Sequence, residues 1–496
     1  MADYDVIVIG AGCGGLCAGS ILARHGRKVL VLEQSGDTGG ACSSYEKNGF
    51  TFDIGACIVE VMEPIEMAFR MLGTTFQDEV DLISCDPIYS FVFQDGSRLS
   101  VPLSMEGAAE VIEKIAPQEA ENWRRFTAYF GDFYDQVIDS FFVNPANSMM
   151  DLLKMFASRP RILKYLPLFG GNYEDAIRKF FHHDIVQQIT GYQSCYMNLP
   201  PERTSGIFAM LVYAEHLGMF YPRGGMIQIP RAFQRVGEAH GMEVRTGVLV
   251  DEVIVRDRRA RGVRLSDGTE ITSDVVISNV NARTLYLDMI GEENLPWLAR
   301  YGIRSYKLSA SDCMLNLGLD YRPPLDAHFS AMAAPLEVMN RQSAERDMGI
   351  LHDEKLGLIC WTTFSDPAMA PEGKHTLNVV MEGPYELQGT DWDREKEPCK
   401  EKAIAFFDRV VPGLADHVEV AELLTPYDFE RRLLYPGGAI YDLELDLTQS
   451  AAFRPAARSR SIKGLYLAGN STHPGGGVPV VIGSGLICAN LIDKYE

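Results

Sequence analysis

No two cysteines in this 496-residue sequence have CxxC spacing, and no Cys, His, Asp or Glu cluster has the spacing of metal ligands. A zinc site and a dithiol redox centre are therefore not expected. The ten cysteines read as small buried apolar side chains in a reducing compartment, the cytoplasm. Positive charge is scarce, with 46 Lys and Arg against 67 Asp and Glu and a formal charge of −21. That balance excludes the basic footprint a nucleic-acid partner needs. Met-Ala-Asp-Tyr-Asp at the start has no basic leader, so no cleaved signal is expected. One uncharged run, Val6 to Ala23, has the length of a membrane span, but its five glycines read as strand, loop and helix.

What is present is concentrated at the start. Val6–Ile9 is rich in β-branched residues, as in a buried parallel strand, and runs into Gly10-Ala11-Gly12-Cys13-Gly14-Gly15. A helix is expected there, ended by Gly26. Gly10 allows the tight turn, Gly12 lets a pyrophosphate approach the backbone, and Gly15 lets the helix lie close on the strand. The first amides of the helix can then face the phosphates. A second strand, Lys28–Leu32, delivers Glu33 eighteen residues after Gly15, where an acid hydrogen-bonds ribose hydroxyls and repels a 2′-phosphate. Glycines can also shape an ordinary strand-turn-helix, but strand, helix and acid together predict a dinucleotide site. These residues leave FAD and NAD both open.

Further glycine-rich stretches follow: Gly39-Gly40-Ala41-Cys42-Ser43-Ser44, then Gly49-Phe50-Thr51-Phe52-Asp53-Ile54-Gly55-Ala56, then Tyr221-Pro222-Arg223-Gly224-Gly225-Met226. Near the end, Gly464–Asn470 reads as a strand ending in glycine. Ser471-Thr472-His473-Pro474-Gly475-Gly476-Gly477-Val478-Pro479 reads as a loop, and Val481–Leu491 as a helix. On these stretches the chain resembles the amine-oxidase-like flavoproteins, specifically the bacterial and fungal phytoene desaturases. The resemblance implies FAD, held by Gly10, Gly12, Gly14, Gly15, Glu33, Gly40, Ala41, Gly55, Val250, Gly469, Asn470, Gly477 and Val478. Val250 would supply a backbone contact to adenine, and the last helix N-terminus would stabilise negative charge on the reduced flavin. Ala56, Asn470 and Gly476 depart from the commonest residues of the family; the last two bear on the substrate, not the flavin.

The fold expected is α/β, a Rossmann-like FAD-binding domain with an inserted α+β substrate domain of the amine-oxidase type. Residues 1–75, 221–283 and 425–496 would form the first, and 76–220 and 284–424 the second. In the earlier insert, strands are expected at Ile88–Phe93 and Arg98–Val101, followed by helices with an aromatic run (Tyr129, Phe130, Phe133, Tyr134, Phe141, Phe142) that serves as core or lines a greasy tunnel. Within it, Leu152–Phe169 carries Lys154, Arg159, Arg161 and Lys164 among apolar residues and no acid. That is the composition of a peripheral contact with anionic lipid or of a helix pair salt-bridged to its neighbours. His182-His183 lacks further ligands and is given no role. After the helix Gln228–Ala239, strands are expected at Met242–Thr246, Val250–Arg256, Gly262–Leu265, Thr269–Thr272 and Val275–Ser278. In the later insert they are expected at Cys313–Leu319, Leu358–Trp361 and Thr376–Met381, with a helix at Lys400–Val411.

No second strand-GxGxxG-helix unit occurs between residues 150 and 300, so electrons are expected to pass between a lipid and a quinone, oxygen or another carrier without a built-in NADPH domain. The resemblance implies desaturation of a long isoprenoid, phytoene or a related carotenoid, by hydride transfer to flavin N5 in a dry apolar channel. On the same scaffold a polyene saturase or a cis-trans carotenoid isomerase uses reduced flavin. A flavin-stabilised lipid-binding protein without turnover is the alternative outside enzymes. His473 can act as a base or hydrogen-bond its own loop, and no residue is assigned as catalytic.

Overall fold

The structure, a computed structural model, describes residues 2–141, 144 and 148–496. Tyr4–Ile9 and Val29–Leu32 pair in parallel, and Glu243–Arg245 extends the sheet beside the second of them. On the other side Tyr4–Ile9 pairs with the nine-residue strand Glu270–Ser278, which also carries Leu465–Leu467 in parallel. Sequence reading expected two strands where this one stands. Its burial explains the difference: exposed and buried residues alternate from Glu270 to Asp274, where it pairs with Arg259–Leu265, and burial is continuous from Val275 to Ser278, inside the parallel sheet. A two-sided environment hid one continuous strand.

The helix Cys13–Arg24 covers one face of this sheet and packs along the C-terminal helix Val478–Tyr495. The two backbones come close. A Cβ on Gly485 would stand 2.6 Å from the Gly14 carbonyl and 2.8 Å from Cys17 Cβ. Val478–Tyr495 is the one helix among the described residues long and apolar enough to cross a membrane, and 61% of it is buried inside the fold. It begins three residues before the expected start, because Pro479 is tolerated in a first helical turn.

A second sheet draws on both inserts. Its order is Val418–Leu424, Asp312–Leu319, His375–Glu382, Gly357–Trp361, Phe329–Met332, Tyr89–Val92 and Arg98–Val101. The expected strands of the later insert appear within one residue at each end. Phe329–Met332 and Val418–Leu424 were not anticipated. The first is only four residues long, and the acids of the second (Glu419, Glu422) interrupt an apolar run. The helix expected at Lys400–Val411 starts earlier, at Trp392, where Asp391 caps it by accepting from the Arg394 amide at 3.1 Å.

Aromatic residues fill the helical insert. Trp123, Phe126, Phe130, Phe133 and Tyr134 are buried in the main core, whereas Phe141 at the end of the same helix lines a cavity, so the run divides between core and wall; Phe142 lies outside the described residues. The backbone amides of His182 and His183 both donate to the Glu119 carboxylate.

Candidate functional site

One cavity of about 910 Å³ runs from the glycine loops into the space between the two sheets. Its wall includes Gly10, Gly12, Gly14, Glu33, Gly40, Ala41, Gly55, Gly469, Asn470, Gly477 and Val478. Residues from both ends of the chain thus meet on one surface. Gly15 and Val250 do not line it. Gly15 has the packing part expected of it, since a Cβ there would stand 2.4 Å from the Gly10 carbonyl. Val250 is buried and pairs with Leu265 at the start of its strand.

The cradle suits a dinucleotide. Gly10 has φ +93°, and the helix Cys13–Arg24 has no side-chain cap and no acid in its first turn, so its leading amides are open to a phosphate. Gly477, which precedes the helix Val478–Tyr495, likewise leaves that N-terminus uncapped at the cavity wall. Glu33 is held with its carboxylate accepting from the Ala11 amide at 2.8 Å and from the Ser35 amide and hydroxyl at 2.9 and 2.8 Å. An anion beside that ribose position disfavours a 2′-phosphate, and two open helix N-termini on one cavity match the two electron-rich parts of FAD. The residues fit the cofactor. When bound, FAD supplies a two-electron acceptor; the protein's own part is to place it and keep water out.

Asn279 joins the two glycine loops and was not singled out in the sequence. A Cβ on Gly12 would sit 2.5 Å from one end of its side-chain amide, and one on Gly469 2.4 Å from the other. In the orientation that satisfies both groups, it donates to the Ala468 carbonyl at 3.3 Å and accepts from the Gly12 amide at 3.2 Å. A polar residue at the carboxyl end of a buried parallel strand, where such sheets bind ligands, was the available signal.

Asp53 explains two of the motifs at once. Its carboxylate accepts from Ser44 Oγ at 2.6 Å, the Tyr221 hydroxyl at 2.7 Å and the Met226 amide at 2.9 Å. Burial pushes its pKa up, against these hydrogen bonds. Gly225 must be glycine here: φ is +93°, and a Cβ would meet Ser44 Oγ at 2.8 Å. The turn at 221–226 is therefore fastened to the flavin-side segment.

Asn470 and Gly476 of the C-terminal loop meet one segment. Asn470 donates from Nδ2 to the Ile440 carbonyl at 3.0 Å, and a Cβ on Gly476 would stand 2.5 Å from Tyr441 Cδ1. Both residues accommodate the segment Ile440–Asp442. Asp442 is buried, accepts from Asn281 and Ser471, and is pushed up to about 6 by burial. Arg454, also buried, donates to the Leu443 and Asn470 carbonyls at 2.9 and 3.1 Å and braces the loop from below. Neither was legible in the sequence, since each acts through backbone carbonyls or one distant partner. His473 turns away from the cavity wall. Its Nε2 donates to the Phe141 carbonyl at 2.7 Å, and burial pushes it down to about 4, so it is neutral and structural.

Beyond the cradle the wall is mostly apolar: Phe156, Phe169, Tyr192, Met197, Phe208 and Leu211 face the cavity. Cys195 is the one accessible cysteine and lines the same wall; all ten are free.

Comparison with known proteins agrees with this geometry. The pattern of the family described as flavin containing amine oxidoreductase matches residues 13–493. A phytoene desaturase (neurosporene-forming) of Rhodobacter capsulatus is 30% identical, over 98% of this chain and 93% of its own length. A zeta-carotene-forming phytoene desaturase of Myxococcus xanthus is 27% identical, over 99% and 93%. Wild-type putrescine oxidase bound to putrescine shares the fold at a TM-score of 0.65, with 15% identity over 99% of each chain. A dinucleotide cradle closed by both ends of the chain, a family match over nearly all of it and this identity to the bacterial relative together mean that the chain belongs to the flavin containing amine oxidoreductase family, among its phytoene desaturases, and is an FAD-dependent oxidoreductase.

Proposed function

We propose that this enzyme introduces carbon-carbon double bonds into a long isoprenoid, phytoene or a related carotenoid. The observation that carries the reading is one cavity in which an FAD cradle continues into an apolar wall suited to a hydrocarbon chain. The cradle residues from Gly10 to Val478 hold the cofactor, residues 1–75, 221–283 and 425–496 act as the FAD-binding domain, and the remainder presents the substrate. Side chains such as Phe156, Phe208 and Leu211 orient the chain and exclude water. Both relatives are named for desaturation, which favours that direction over saturation or isomerisation. A quinone or oxygen takes the electrons afterwards.

The decisive experiment is anaerobic: holoprotein is mixed with phytoene in liposomes while flavin absorbance and polyene products are followed together. Bleaching of the flavin with new conjugated double bonds is expected. Reoxidation of pre-reduced flavin by a coloured polyene, without bleaching by phytoene, would reverse the direction to saturation. Silence in both directions would sink the reading.

Substrate of this kind resides in a membrane, and we place the peripheral contact around 149–169. Met149, Met150, Leu153, Leu163 and Leu166 are about half exposed, as is Phe453 on the adjoining turn. Leu152, Phe156, Phe169 and Phe453 line the cavity, so this apolar surface leads into it. Lys154 and Arg161 are exposed there. Lys164 pairs with Asp132, and Arg159 donates to the Gln136 carbonyl at 2.6 Å; half of the basic cluster is thus engaged within the protein.

A further inference from the structure

The segment from Gly55 to Val61 carries one carboxyl to the cavity wall, Glu60. The segment leaves directly from the cradle. The Ala56 amide donates to the Ala41 carbonyl at 3.1 Å, and a Cβ on Gly55 would stand 2.9 Å from that oxygen. Across the cavity stands Tyr441, whose ring touches Gly476 of the C-terminal loop. Its hydroxyl is pushed up by burial and further by Asp312, Cys57 and Glu60. Glu60 therefore shares one cavity wall with the Gly55 segment, the C-terminal loop and the apolar side chains that follow.

Glu60 Oε2 is buried and has no hydrogen-bond partner, and no cation offsets the charge of this carboxyl among the described residues. Leaving such a group unsatisfied is costly, and a buried exception of this kind calls for a chemical reason. Near it, both oxygens of Glu215 have partners, accepting from the Tyr89 hydroxyl at 3.2 Å and Gln193 Nε2 at 2.8 Å. Burial and the Glu60 charge hold Glu215 well above the carboxylate range, so it stays a neutral acid. Burial pushes Glu60 up to about 7. The other groups that feel Glu60 are Tyr134, which also bonds Glu63, and Tyr196 and Tyr441, all raised and neutral. Asp312 and Asp442 are also raised carboxyls on this wall, but Asp312 accepts from Asn198, and Asp442 from Asn281 and Ser471. Glu60 alone of the three has an unpartnered oxygen. A carboxyl free of partners and divided between its two forms near neutral pH meets the condition under which a general base is most effective.

We propose that Glu60 is the proton acceptor of the desaturation, an inference that rests on the desaturase reading. In a saturated CH–CH unit, one carbon gives its hydrogen with two electrons to the oxidised flavin. The neighbouring carbon loses its hydrogen as a proton to the Glu60 carboxylate, and the electron pair of that C–H bond becomes the second bond of C=C. Bound FAD would take up the hydride with its two electrons, and Glu60 becomes a carboxylic acid.

The test uses holoprotein with phytoene in liposomes. Glu60→Gln should keep its FAD and its KM, lower kcat by roughly 10²–10⁴-fold, and lose the rise of kcat with pH through about pH 7 that the wild type shows. Glu60→Asp should recover part of the rate and of that rise. A merely structural glutamate would not move the pH limb, and a Glu60→Gln kcat within about threefold of wild type with the limb intact would overturn the proposal. A second readout needs no substrate: infrared difference spectra of wild type against Glu60→Gln should show one carboxyl titrating near neutrality. A group ionised throughout from pH 5 upward would overturn it equally. If the wild type fails to desaturate phytoene, the desaturase reading falls, and the infrared titration still decides whether Glu60 is a poised proton acceptor.

Discussion

The cofactor end of the cavity is made by backbone, and the lipid end by side chains. At Gly12, Gly14, Gly469 and Gly477 the wall is main chain, with a Cβ excluded by Asn279 or by the opposite loop at the first three. At Phe156, Phe169, Tyr192 and Phe208 the wall is apolar surface carried on helices and turns that could be repacked by other residues of similar volume. Backbone cradles demand glycine at fixed spacing and so leave a mark in the sequence; an apolar wall demands only volume and hydrophobicity. The difference predicts unequal tolerance to change along one continuous cavity.

That inequality is tested most severely at Gly12. Gly12→Val puts branched bulk at a position where even a Cβ stands 2.5 Å from the Asn279 side-chain amide. Overpacking of about 3 kcal/mol would weaken FAD roughly 100-fold. Protein purified without yellow colour, but with an unchanged far-ultraviolet dichroism spectrum, is the expected result. Flavin retained at wild-type stoichiometry would mean that the phosphates do not approach this backbone.

The same contrast explains what was legible in advance. Glu33 and the glycines around it could be read because strand, turn and acid lie within one short stretch, and the C-terminal loop because it is dense in glycine. Glu60, Asn279, Asp442 and Arg454 could not. Each is an isolated polar residue whose meaning comes from what the fold places around it, such as Asn281 against Asp442, 161 residues apart. The long strand Glu270–Ser278 was read as two pieces because its pattern changes where its neighbours change. Aromatic residues at Phe130 and Phe133 had the composition of either a core or a tunnel, and only packing assigned them to the core. Local geometry is written locally; assembly is not.

A finer test concerns Gly476, a residue of the C-terminal loop that packs against Tyr441. Gly476→Ala should cost about 1–3 kcal/mol, because the new methyl meets Tyr441 Cδ1 at 2.5 Å and Cβ at 3.1 Å. Tyr441→Ala removes the obstructing ring. The double variant should therefore be more stable than the two single losses predict, with a coupling of about 1 kcal/mol or more in thermal or urea unfolding. Additive losses would show that the ring does not reserve this space, and the glycine at 476 would need another cause.

The smallest effect is expected where side chains meet lipid. Leu153, Leu163 and Leu166 are 54%, 54% and 47% exposed, so changing all three to Gln should disturb the fold little. Each leucine that enters the bilayer contributes at most about 1.5–3 kcal/mol, and partial burial reduces this, so vesicle binding should weaken roughly tenfold for the triple variant. Charge separates the lipid reading from general stickiness. Lys154→Gln with Arg161→Gln should weaken binding to anionic vesicles by about 1 kcal/mol per residue and leave neutral vesicles unaffected. Arg159→Gln and Lys164→Gln should do less, because their charges are already directed at Gln136 and Asp132. Equal losses at all four bases would return the segment to the reading in which net charge alone matters, and unchanged sedimentation of the triple leucine variant would remove the membrane from this end of the cavity.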